Sequence, residues 1–257
     1  MWTIVFLLLL TLFYVTYIRM VQQLMSKIHF LSREETIQFF RSDPDGYTDS
    51  LTPYDLKALG FDNKIEYIDK SCEDAIDFTL SQKEYVTTCC READVFFMSQ
   101  LQNRFPYING EVLATMDWNI SLTKGEIYEE GYPHTRMNII FITPDVINRG
   151  CTRILIHEKV HVYERLFPSH VEKWMKEMGY KPYKRSNEYR LRRSNPDLDG
   201  WVYKDDKGRE TIALFKSEQP TGIDDSIYLG GSDWKFEHPY ETLAYRIDYF
   251  YANETFT

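Results

Sequence analysis

From Trp2 to Ile18 the chain is apolar without a single charge. About 17 such residues is the short end of a membrane-spanning helix, and this run is apolar on every face. Trp2, Tyr14 and Tyr17 are the ring types that settle at bilayer interfaces. No Lys or Arg precedes the run, while Arg19, Lys27 and Arg33 follow it. The positive-inside rule then places the rest of the chain on the cytoplasmic side. Beyond it the pattern becomes amphipathic. Ser32 with Glu35 is a capping box opening a helix, and Thr52-Pro53 opens a second that Gly60 closes. "RSDPDGY" at 41–47 is a reversal. Residues 73–102 read mostly as helix. "WNISLT" (118–123) and "MNIIFIT" (137–143) carry the β-branched composition of strands. After Pro144 the pattern turns helical to about Phe167, where Pro168 stops it, and "SHVEKWMKEMGY" forms a further helix. Residues 200–216 read as a β-hairpin turning at Asp205–Gly208, and a last helix enters after Pro239. No internal repeat is present.

Composition narrows the class. Over 257 residues the net charge is −9, with 19 Tyr and 16 Phe to fill a core. A general nucleic-acid binder leans to the opposite charge, so no nucleic-acid partner is expected. Cys72, Cys89, Cys90 and Cys151 form no CxxC pair and are too sparse for a disulfide scaffold, and they read as mostly reduced thiols. The resulting organisation is a transmembrane anchor over 1–20, a stalk over 21–33 and a catalytic-sized body over 34–257.

One stretch of that body carries chemistry, "IHEKVHVYER" at 156–165. On a helix, His157 and His161 lie one turn apart on one face, where two imidazoles can reach a single metal ion. Glu158 falls on the adjacent flank, placed to hold a water as general base. Ile154, Leu155, Val160, Val162 and Leu166 surround the pair, so it belongs to an apolar-periodic helix. Position 167 is Phe, which excludes a third histidine at the spacing metzincins use. The other candidate ligand is Glu241 in "HPYETLAY", with Ala244 three residues on to let its helix approach closely. Glu237 is the rival, although it precedes Pro239 and falls outside the helix.

At these residues the chain resembles the gluzincin zinc metallopeptidases, which share His-Glu-x-x-His followed by a helix bearing Glu-x-x-Ala. Phrases such as "GYPHTR", "HVYERLFP" and "NPDLDGW" also resemble uncharacterised metallopeptidase-like membrane proteins of large DNA viruses. The first resemblance implies an α+β fold: a zincin-like domain with a mixed sheet packed on the His-Glu-x-x-His helix, here preceded by one transmembrane helix. It implies one Zn2+ held by His157, His161 and Glu241, with Glu158 as general base. The interval of 79 residues between His161 and Glu241 makes 169–236 an insertion that returns to the site. Many members place an Asp four residues after the ligand Glu; here that position is Tyr245, and Asp248 is the substitute.

The function expected is that of a membrane-anchored zinc-dependent peptidase, tethered to a bilayer through residues 2–18 and hydrolysing a peptide or protein substrate. The developing oxyanion needs a second partner, for which His238, Tyr245 and Tyr163 are candidates, the first two preferred. A peptide can bind as an added strand along "HTRMNIIFIT", with His134 and Arg136 touching it. The competing reading is a catalytically silent zincin-fold structural component of a membrane or virion.

Overall fold

The computed structural model describes residues 26–101 and 104–254. In chain order the elements are β1 (Ile28–Phe30), α1 (Arg33–Ser42), α2 (Tyr47–Ser50), α3 (Pro53–Ala58), α4 (Lys64–Asp74), β2 (Ala75–Ile76), α5 (Leu80–Phe96), α6 (Gly110–Thr115), β3 (Trp118–Thr123), β4 (His134–Arg136), β5 (Ile139–Ile142), α7 (Pro144–Arg149), α8 (Thr152–Leu166), α9 (Pro168–Glu177), β6 (Lys181–Arg185), β7 (Trp201–Lys204), β8 (Glu210–Thr211), β9 (Ala213–Phe215), β10 (Ser226–Tyr228) and α10 (Pro239–Tyr251). A π-helical turn, Phe97–Leu101, continues α5.

A five-stranded mixed sheet organises the fold. β3 lies parallel to β5 on one side; on its other edge it pairs with β1 in parallel and with β2 antiparallel. β4 pairs antiparallel with β5 and forms the far edge. Strand periodicity gives the sheet two buried faces. Trp118, Ile120, Leu122, Ile140 and Ile142 join the core under α5, α8 and α10, while Phe141 joins the core under α1 and α4. Burying each large apolar side chain contributes about 1.5–3 kcal/mol. On the α1 face, Thr36 and Ser121 pair their hydroxyls at 2.8 Å, so the polar position is satisfied.

Local chemistry sets the boundaries. Ser32–Glu35 and Thr52–Asp55 form complete capping boxes, as their spacing predicts. The helical stretch after Pro144 is broken in two, because Gly150 adopts φ +99, a conformation costly for any residue with a Cβ. Pro168 ends α8 and occupies the first position of α9. Residues 181–228 build two small antiparallel sheets, β6–β7–β8 and β9–β10.

Two expectations are corrected. The apolar run Trp2–Ile18 lies outside the described residues, and no helix among them is long and apolar enough to cross a membrane. The architecture is therefore stated as mixed α/β with several sheets, and the transmembrane fold element, the single-pass membrane location and the cytoplasmic placement of the body are withdrawn. The segment 21–33, expected to be a stalk, contains β1, which runs beside β3 as part of the main sheet. A six-residue alternation signal was beyond a strand of three residues.

Candidate metal centre

α8 and α10 pack against each other under the main sheet and bring three side chains together. His157, His161 and Glu241 are all buried. His157 Nε2 and His161 Nε2 stand 3.1 Å apart, and Glu241 Oε2 lies 3.5 Å and 3.8 Å from them. The circle through those three atoms has a radius of about 2.0 Å, the length of a Zn–N or Zn–O bond. Ala244, fully buried one turn beyond Glu241, leaves room for α10 to approach.

Each histidine is fixed from behind. His157 Nδ1 meets Asp248 Oδ2 at 3.0 Å, and His161 Nδ1 meets Glu164 Oε2 at 2.8 Å. With carboxylates at Nδ1, the proton belongs there and Nε2 keeps its lone pair. Two lone pairs facing each other at 3.1 Å call for a positive centre between them. Burial pushes His161 well below the usual histidine range. Burial also opposes the charge on His157, but the bonds to Asp248 and Glu241 hold it above that range, so in the absence of a metal ion a proton on its Nε2 supplies the positive charge between the rings. Glu241 is held below the usual carboxylate range by His157 and His161 despite its burial. Burial lifts Glu158 and Glu164 above it. So many buried carboxyls around two imidazoles are costly unless a cation compensates them. A buried His-His-Glu group that could hold a metal ion is thus present, and its residues fit one.

Glu158, one residue past His157, is buried beside a cavity of about 260 Å³ that His157 and Glu241 also line. Its Oε2 accepts a 2.8 Å hydrogen bond from Thr135 Oγ1. Strand period explains why Thr135 does this and not its neighbours. His134 and Arg136 turn to the opposite face, where His134 stacks on Phe141 and Arg136 lies over Phe39. Arg136 binds Asp43 and Asp45 at 2.5 Å and is 1 % exposed, so it is a structural clamp away from the cavity. His134 does line the cavity; its Nδ1 bonds the Tyr132 carbonyl at 2.9 Å, and its buried Nε2 has no partner.

The remaining predicted residues divide. Tyr245 lines the cavity and sets its ring edge-on to His157, centroids 4.3 Å apart. His238 caps α10 by accepting from the Tyr240 amide and bonds Asp199 at 3.2 Å, away from the cavity. The Tyr163 hydroxyl is engaged with the Asn109 amide and His170. Glu237 precedes α10 and pairs with Arg193, so the rival ligand is occupied elsewhere.

Five participants, Glu164, Thr135, Asn195, Asp197 and Arg165, went unseen in the sequence. Glu164 stands three residues after His161, a spacing that signals a shared helix face. Thr135 needed the strand register. The segment Arg193–Asp197 returns from the insertion: Asn195 donates to Glu241 Oε1 at 2.9 Å, and Asp197 accepts the Thr135 amide at 2.8 Å. Arg165 donates to the Thr135 carbonyl at 2.9 Å. The outer edge of β4 at Thr135, expected to receive a peptide as an added strand, is therefore closed by side chains.

Comparison with family models, curated proteins and solved structures returned no match. The class of the site rests on its geometry.

Proposed function

We propose that the protein is a zinc-dependent hydrolase of gluzincin type acting on peptide bonds. The observation that carries this reading is the convergence of His157, His161 and Glu241 on one point, with Glu158 beside it facing a cavity. Bound zinc would supply Lewis acidity and bring a water's pKa toward neutrality. His157, His161 and Glu241 would hold it. Asp248 and Glu164 keep both imidazoles in the donating tautomer, and Asn195 aims the Glu241 carboxylate. Glu158 takes the proton of the attacking water and returns it to the leaving amine, oriented by the Thr135 hydroxyl. To Tyr245, which lines the cavity beside His157, we assign the contact with the carbonyl oxygen. With the β4 edge closed at Thr135, substrate enters through the cavity and not by strand addition there.

The test is a Glu158→Gln variant incubated with a peptide library beside the wild type. Retained metal with turnover reduced about 100-fold or more supports the assignment. Undiminished cleavage by the variant removes Glu158 from its role. Stoichiometric metal with no cleavage by the wild type favours the silent scaffold.

A further inference from the structure

Outside the metal centre, two nucleophilic side chains meet where α5 packs on the start of α8. Cys89 sits in the middle of α5, and Cys151 is the residue immediately before α8. Both are buried, at 2 % and 0 % exposure, and both are free thiols. Their sulfurs face each other at 2.6 Å. Unbonded heavy atoms prefer separations of about 3.5–4.0 Å, and sulfur is larger than carbon. Two thiols this close either move apart or bond, and the surrounding core leaves little room to move apart.

We propose that Cys89 and Cys151 are joined by a disulfide bond in the folded protein, cross-linking α5 to the N-terminal end of the helix that carries His157 and His161.

The other cysteines are not placed for this. Cys72 meets the Ile37 carbonyl at 4.0 Å and the Arg41 side chain, and no other cysteine. Cys90 follows Cys89 in sequence but is turned about 100° around the helix, into the core, where burial pushes its thiol up.

The chemistry needs an oxidant, which we take to be a disulfide of the glutathione or thiol–disulfide oxidoreductase class. The thiolate of one of the two cysteines attacks one sulfur of that disulfide, forming a mixed disulfide and expelling a thiolate. The thiol of the other loses its proton and attacks the first cysteine's sulfur, releasing the second thiolate. Two electrons and two protons pass from the cysteine pair to the oxidant, which leaves as two thiols. Because both sulfurs are buried in the folded chain, the exchange belongs to folding, before α5 and α8 dock. The bond closes a loop spanning 62 positions that contains β3, β4, β5 and α6, so it restrains the unfolded chain strongly.

The experiment is intact-mass analysis of the full chain refolded with the glutathione redox couple, before and after phosphine reduction. A rise of about 2 Da on reduction is expected, with one linked peptide pair containing Cys89 and Cys151. A Cys90→Ser variant must retain the link, which settles the assignment between the adjacent residues. Reduction is expected to lower the melting temperature by roughly 10 °C. Four alkylatable thiols after refolding with oxidised glutathione, or a bridge through Cys72 or Cys90, overturns the proposal.

Discussion

Asp248 lies seven residues beyond Glu241, at the cavity wall behind His157, and is not one of the three side chains that converge on the shared point. Its Oδ2 accepts from His157 Nδ1 at 3.0 Å, and its Oδ1 accepts from Arg153 at 3.2 and 3.3 Å. It is 2 % exposed. Replacing it with Ala leaves a buried Nδ1–H without an acceptor and frees the ring to change tautomer. A hydrogen bond to a charged group contributes about 1.5–3 kcal/mol, which corresponds to roughly a 10- to 100-fold weaker metal affinity. Arg153 is the other partner affected, but it is a third exposed and keeps Glu254 at 2.8 Å, so the loss concentrates on His157. Asp248→Asn keeps an acceptor without the charge and falls between wild type and Ala. The assay is competition for zinc against a chromogenic chelator, with circular dichroism to confirm that the variant is folded. An Asp248→Ala protein whose zinc Kd stays within about twofold of wild type would refute the reasoning, since orientation from behind would then be worth less than 0.5 kcal/mol.

Other substitutions probe the same architecture. Thr135→Val removes the hydroxyl that orients Glu158, and is expected to lower kcat about tenfold while KM and zinc content stay unchanged; steady-state kinetics measure the split. Arg136→Ala leaves Asp43 and Asp45 without their cation and is expected to destabilise the fold by about 3–5 kcal/mol in denaturant titrations, with no direct effect on metal affinity. His134 gives a pH dependence: burial depresses its pKa to about 3, so between its unfolded value near 6.5 and that value the unfolded chain takes up the proton first. The His134 contribution to stability is therefore present above about pH 6.5 and lost as pH falls, by about 2–3 kcal/mol at pH 4.5. A His134→Gln protein should lack that component, and an unchanged pH slope would contradict the burial argument.

The pattern along the chain revealed most of the scaffold that matters to the centre. Helix caps are local, so Ser32–Glu35 and Thr52–Asp55 were legible from spacing alone. The two imidazoles were legible because helical geometry fixes what lies one turn apart. Glu241 needed a resemblance, since nothing local ties it to a helix some 80 positions earlier, and Pro239 helped by marking where α10 begins. What stayed hidden depends on register and on return paths. Whether His134, Thr135 or Arg136 faces Glu158 turns on the parity of a three-residue strand, which no alternation signal that short can fix. The convergence of Asn195 and Asp197 on Glu241 and β4 is a long-range contact without sequence periodicity. The contact of Cys89 with Cys151 is hidden for the same reason. The Trp2–Ile18 run shows the opposite case, a strong local signal on residues outside those the structure describes.

The central claim is that one metal ion is held between α8 and α10 by two imidazoles and one carboxylate. Elemental analysis of the purified full chain, dialysed against trace zinc, tests it most directly when His157→Ala, Glu241→Ala and Glu237→Gln proteins are measured beside the wild type. The account predicts about one zinc per chain in the wild type and in Glu237→Gln, and loss of most of it in the other two. Equal zinc in all four proteins, or none in the wild type, would contradict it.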